Sequence, residues 1–229
     1  MVYITFSIPG LRQNEKTPSK ILYPASPGSI YHLTKVLDHQ ILQFYSKLYG
    51  MRVTDLHQGI VWGFQTPETQ IHDALVNRID YDGIYGTVLN RFICQAAFGY
   101  PLTVYGSGGQ KRAFIHISDS AECVKLVVQN PPDGGKVRVL NQLAESVSVI
   151  HLAESVSKIF GVPVQKLKNP RVELEENELE VSNLGLKNLG WKPLFISDNL
   201  LEDIHRPLNM SKVSFDKNLI LNSPKWINK

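Results

Sequence analysis

Between Ser29 and Gly63 the chain changes its hydrophobic period, and this limits what it can fold into. Leu33, Val36, Leu37, Ile41, Leu42 and Phe44 recur at three- and four-residue intervals, the stripe of an amphipathic helix reaching about Leu48. Ser29 is suited to cap its start, and Gly50 to end it. Met51–Leu56 then alternates and is rich in β-forming residues, and Ile60-Val61-Trp62-Gly63 follows. A helix that feeds a strand is the second half of an α/β unit. The same alternation continues down the chain, so the expected fold class is α/β.

The remaining elements are read in the same way. Val2–Ile8 is expected as a strand, and residues 11–30, with Pro18, Pro24, Pro27 and Gly28, as loop. Pro67–Ile84 is polar, a long loop with a short helix. Thr87–Phe98 is an apolar helix, and Leu102–Tyr105 a strand running into Gly106-Ser107-Gly108-Gly109. Ala113–Ile117 is a strand, after which Ser118 or Asp119 caps a helix over Ser120–Gln129. Val137–Leu140 is a strand ending at Asn141-Gln142. Val147–Phe160 is a helix stopped by Gly161, and Leu184–Leu189 and Leu194–Ile204 are two more. The tail after Pro207 is polar.

Composition removes several classes of function. With 229 residues, 43% of them hydrophobic and 20% charged, the chain can bury a sizeable core. The net charge of +3 comes from interspersed signs, with no Lys/Arg run to mark a nucleic-acid or polybasic membrane stripe. No stretch approaches the roughly 20 apolar residues of a membrane span, and Met1–Phe6 is too short and lacks the basic flank of a signal peptide. Cys94 and Cys123 lie in apolar segments and are expected as buried free thiols. No Cys/His pair has zinc spacing, and no metal site is expected.

Tyr31 and Lys35 stand four apart on the first helix and so share a face. A cation one turn from a phenol favours the phenolate, which can then take a proton from a sugar hydroxyl. Taken alone, the pair also fits an ordinary helix-surface contact. Gln58 stands at the polar mouth of the strand that follows and carries a donor and an acceptor. Thr87 and Asn90 open a helix whose free N–H groups suit phosphate. Backbone groups of Leu102, Thr103 and Val104 can read a base edge, with Gln110 and Arg112 after the glycine-rich bend and Arg171 further on as diphosphate partners. The bend itself is more often a plain turn, and Glu173, Glu175, Glu176, Glu178 and Glu180 form a solvated acidic face.

Tyr31-His32-Leu33-Thr34-Lys35 followed by Thr54-Asp55-Leu56-His57-Gln58-Gly59-Ile60-Val61-Trp62-Gly63 is similar to the extended short-chain dehydrogenases. Arg78–Asp82, Gly86–Phe92, Pro101–Gly106 with Gly108-Gly109-Gln110, Asn141-Gln142 and Asn169-Pro170-Arg171-Val172-Glu173 narrow the likeness to the UDP-sulfoquinovose synthase family. The resemblance covers about residues 20–229. It implies a partial Rossmann-type sheet over 29–63, after an irregular 1–28, and a nucleotide-sugar region over 64–229. It also implies NAD as cofactor, UDP-glucose and sulfite as substrates, and a homodimer. The chemistry implied is C4 oxidation of glucose, loss of water across C5–C6, addition of sulfite at C6 and return of the hydride.

By matching position, Tyr31 is the base, Lys35 its partner on the nicotinamide ribose, and Gln58 a contact of the nicotinamide. Thr87, Asn90, Leu102, Thr103, Val104, Gln110, Arg112 and Arg171 line the UDP-sugar. The family's glycine fingerprint, acidic ribose ligand and hydroxyl partner of the tyrosine lie upstream of it, and residues 1–30 hold none of them. The expectation is therefore a truncated copy with weakened NAD binding. The alternatives are an inactive UDP-sugar-binding remnant or another NAD-dependent epimerase or dehydratase. The family works in plastids of photosynthetic eukaryotes and in the bacterial cytosol.

Overall fold

The computed structural model describes residues 2–5, 20–23, 30–75, 80–82, 85–169, 180–198, 200 and 219. The expectations for Ser29, Arg78, Arg171, residues 173–178 of the acidic run and the tail after Pro207 lie outside them. The chain divides into two compact units: Met1–Asp55 with Pro131–Arg138, and Leu56–Asn130 with Val139–Lys229.

In the first unit, β1 (Val2–Thr5) pairs antiparallel with β2 (Lys20–Tyr23), Val2 opposite Tyr23 and Thr5 opposite Lys20. The second strand corrects the loop expected there. The prolines around it suggest a loop, but Ile21-Leu22-Tyr23 favours a strand once another supplies hydrogen bonds. Helix α1 (Ile30–Tyr49) matches its expected span. Its apolar stripe, however, faces outward: Leu33, Leu37, Ile41, Phe44 and Leu48 are exposed, and Ser46 is the buried residue. Gly50, with a φ of 64°, turns the chain after it. Strand β3 (Val53–Gln58) begins in this unit, and its sheet partner β7 (Val137–Gln142) also begins here. Arg138 Nη2 donates to Thr54 Oγ1 at 2.9 Å.

The second unit holds the core. Strand β4 (Ile60–Trp62) runs parallel to β6 (Lys111–His116), which pairs antiparallel with β8 (Glu145–Ser148). Separately, β5 (Leu102–Tyr105) runs parallel to β9 (Val164–Leu167). Neither β8 nor β9 was expected from sequence. Helices α2 (Val88–Ala97) and α4 (Val149–Phe160) close one core with Trp62, Phe64, Leu102, Val104 and Phe114. Helix α3 (Ile117–Gln129) and α5 (Leu184–Lys187) close another around Ile115, Cys123, Leu140, Leu186 and Trp191. The C-terminal helical pattern expected from Leu194 starts at Ile196. Cys94 and Cys123 are free and buried, and burial pushes both thiols up to about 12.

Two helix starts are of note. At α3 the cap is His116, whose Nδ1 accepts from Ser118 N at 3.2 Å, and not Ser118 or Asp119 as expected. The carboxylate of Asp119 is used elsewhere, accepting from Leu194 N at 2.7 Å. At α4, Ser148 caps and the glycine-rich bend adds carbonyls: Gln110 O accepts from Val149 N, and Gly108 O from Ile150 N at 2.9 Å. The bend thus satisfies N–H groups that a helix start leaves without partners.

Candidate active site

Tyr31 and Lys35 lie on the first turns of α1, both exposed, with Lys35 Nζ 5.6 Å from the centre of the Tyr31 ring. The helix is fastened below them. His39 Nδ1 meets Asp55 Oδ2 at 2.6 Å, Gln43 Nε2 meets His39 Nε2 at 2.7 Å, and Ser46 Oγ donates to Met51 O. Sequence reasoning missed this His39–Asp55 tie, because its partners are 16 positions apart and neither stands in a recognisable motif.

In the second unit, Gln58 ends β3. Its Nε2 donates to Ser120 Oγ at 2.7 Å and to Gln142 Oε1 at 3.1 Å. Gln142, almost fully buried, donates in turn to Ser120 O, and its own carbonyl accepts from Gly59 N. The donor of Gln58 is spent within the protein, so its carbonyl oxygen is the group a ligand can address. Asn141, in the same motif, donates to Ser182 O.

Thr87 and Asn90 come together at the C-terminal end of β4. Thr87, the N-cap of α2, donates from Oγ1 to Val61 O at 3.4 Å, and Asn90 Oδ1 accepts from Gly63 N at 3.4 Å. Trp62 and His116, the last residues of the parallel strands β4 and β6, meet edge to face at 4.7 Å. Open α/β sheets place ligands at such strand ends, and the first turn of α2 adds free N–H groups.

Leu102 and Val104 have fully buried side chains, so they can reach a ligand only through their backbone. Leu102 N already donates to Pro163 O. Both peptide groups of Thr103 are occupied: its N–H by Gln95 Oε1 at 3.1 Å and its C=O by Arg91 Nη2 at 3.1 Å. Gln95 Nε2 also donates to Thr103 Oγ1 at 2.8 Å. Beyond Tyr105 the chain runs through the glycine-rich bend to Gln110. Gln110 is buried there, with Nε2 3.4 Å from Tyr105 O. Arg112 is half-buried and donates to Lys111 O. The involvement of Arg91 and Gln95 was missed. Its sequence signal is a pair of polar residues four apart on a helix face otherwise made of Leu89, Phe92, Ile93 and Ala96.

Among known proteins, the model of the NAD dependent epimerase/dehydratase family matches residues 7–141. The chain is similar to the chloroplastic UDP-sulfoquinovose synthase of Spinacia oleracea, at 44% identity over 209 residues, covering 89% of this chain and 43% of that protein. It is also similar to the UDP-sulfoquinovose synthase of Sulfolobus acidocaldarius, at 45% over 163 residues, covering 69% of this chain and 41% of that one. The chain thus spans less than half the length of these relatives. Among solved structures, the UDP-glucose 4-epimerase of Thermotoga maritima superposes with a TM-score of 0.63 at 20% identity, covering 85% of this chain and 56% of that one. The NAD complex of the UDP-glucose 4-epimerase of Thermus thermophilus gives 0.59 at 22%, covering 93% and 62%. At these identities the structural likeness concerns the fold.

Proposed function

This chain belongs to the NAD dependent epimerase/dehydratase family, and from that premise we propose that it carries the substrate-side part of a UDP-sulfoquinovose synthase. The observation that carries this reading is the 44% identity over 209 residues with the spinach enzyme. The geometry supports it: Thr87 and Asn90 stand together at a parallel-strand mouth, and Gln110 and Arg112 follow the glycine-rich bend after β5. Arg171 completes the diphosphate side in the same proposal.

In this proposal Tyr31 is the base for the 4-hydroxyl of the sugar, and the start of α2 is the element that holds the diphosphate. Lys35 is the cationic partner of Tyr31 and holds the nicotinamide ribose, and the side-chain carbonyl of Gln58 receives the carboxamide. NAD, held at its nicotinamide end by Lys35 and Gln58, would supply the hydride acceptor and donor for C4. The C4 ketone acidifies the C5 proton, water leaves across C5–C6, and sulfite adds at C6. The residues present fit the nicotinamide end of the cofactor, since an exposed cation and phenol lie one turn apart.

Among the described residues, no helix is long and apolar enough to cross a membrane. The plastid, or the cytosol of a bacterium, is the compartment this reading carries. A homodimer belongs to the same proposal. The exposed stripe of α1 is self-complementary when two copies run antiparallel about Ile41, which sets Leu33 near Leu48 and Leu37 near Phe44.

Calorimetry of the 229-residue chain with NAD and with UDP-glucose, followed by a sulfite-dependent assay, tests the reading. Binding of both ligands with sulfite-dependent turnover supports it. Binding of UDP-glucose alone favours the inactive sugar-nucleotide-binding remnant. A folded chain that binds neither refutes it.

A further inference from the structure

Helix α2 is tied by polar contacts at four places. Thr87 and Asn90 fasten its first turn to Val61 and Gly63, at the end of β4. The next residue, Arg91, and Gln95 one turn beyond it grip Thr103 in β5, a strand of another sheet. From Thr87 to Gln95 the helix rises about 12 Å. It therefore acts as a beam between the two places where the proposed nucleotide sugar is held.

The choice of residues at the second tie is informative. Gln95 is fully buried and Arg91 nearly so. The guanidinium of Arg91 also lies 5.2 Å from the centre of the Tyr105 ring. Apolar residues would hold α2 to β5 without the penalty of burying an amide and a cation. Apolar contact, however, is non-directional, whereas hydrogen bonds specify particular atoms. Three hydrogen bonds to one residue fix the axial position of β5 against α2. Thr103, with its N–H, C=O and hydroxyl all engaged, becomes the fixed point from which Tyr105, Gly106 and the Gln110 loop extend.

We propose that Gln95, with Arg91, is a positioning residue of the nucleotide site, locking β5 to α2 so that the β4 mouth, the start of α2 and the turn after β5 keep one spacing for a nucleotide diphosphate. This rests on the nucleotide-sugar reading above. Neither residue touches the ligand. Both act through Thr103.

The test uses the full chain and UDP as the probe. Gln95→Met keeps length and volume while removing both amide bonds. The expected result is a folded protein whose UDP dissociation constant rises about tenfold, with faster amide exchange at residues 102–106. Gln95→Glu, which keeps an acceptor for Thr103 N–H, should recover part of the affinity. If Gln95→Met does not fold, Arg91→Lys, which keeps the charge but loses the planar fork, should show a smaller loss in the same direction. Wild-type affinity in the folded variants would overturn the positioning role and leave the nucleotide reading intact. A folded wild-type chain that binds no UDP would overturn the nucleotide reading, and this role with it.

Discussion

The glycine-rich bend after β5 allows a quantitative test of how the site is supported. Gly108 has a φ of 79°, and a Cβ placed on it would stand 2.7 Å from Val104 Cγ1 and 2.9 Å from Ile150 Cβ. Val104 belongs to the core and Ile150 packs against it, so neither is free to swing away. Gly108→Ala therefore carries two costs. The left-handed backbone costs an L-residue roughly 1–2 kcal/mol. Crowding a packed core adds about 1–3 kcal/mol. Gly99 separates the two, since its φ is 69° but nothing lies within 4 Å of its Cβ position. Gly99→Ala should thus lose only the backbone term. In urea unfolding followed by circular dichroism, Gly108→Ala should be less stable than Gly99→Ala by at least about 1 kcal/mol, or roughly 2–4 °C in a melt for a chain of this size. UDP binding should fall as well, because the bend leads to Gln110 and seats α4. Equal losses in the two variants would refute the packing assigned to the bend.

Tyr31→Phe should lower sulfite-dependent turnover by roughly 10²–10⁴-fold, the usual contribution of a positioned acid or base, with UDP-glucose binding retained; unchanged turnover would remove Tyr31 from the chemistry. Ile41→Glu should leave a folded chain that sediments as a monomer; a dimer that persists would place the interface elsewhere than on α1. Asp119 has its carboxyl raised above the ordinary 3.8, first by burial, with the Leu194 N–H opposing. The folded chain therefore holds this proton more tightly than the unfolded chain does. The group's stabilising contribution is complete below about pH 3.8 and is lost as pH rises through the folded value. Asp119→Asn, which keeps an acceptor for Leu194 without the charge, should match or exceed wild-type stability at pH 7 and lose that advantage below pH 4. A variant markedly weaker at pH 7 would show that the charged hydrogen bond outweighs the burial.

Much of the chain could be read from local pattern. Helix α1 keeps its expected span because its stripe and the glycine after it are local signals. Strand β5 matches its expected bounds, and α4 ends at Gly161, whose φ of 69° is a conformation that glycine adopts freely. Cys94 and Cys123 are buried thiols, as their apolar neighbours imply. Thr87 and Asn90, singled out in the sequence at the start of α2, are both bonded to the end of β4.

Other features depended on partners distant in sequence. Glu145-Ser146-Val147-Ser148 has little strand character of its own and becomes β8 because Phe114 to Lys111 of β6 lie beside it. Val164–Leu167 becomes β9 by the same kind of pairing with β5. His116 displaces Ser118 and Asp119 as the α3 cap, and the carboxylate of Asp119 is then free to reach a backbone N–H 75 positions away. The partners of Thr103's N–H and C=O come from Gln95 and Arg91, in a different element. The sequence by itself determined the α/β class and most of the helices, because period and glycines act over a few residues. Only the tertiary structure decided which strands pair, which caps prevail and which polar groups remain for a ligand, because each of those outcomes is a competition for hydrogen bonds between residues far apart in the chain.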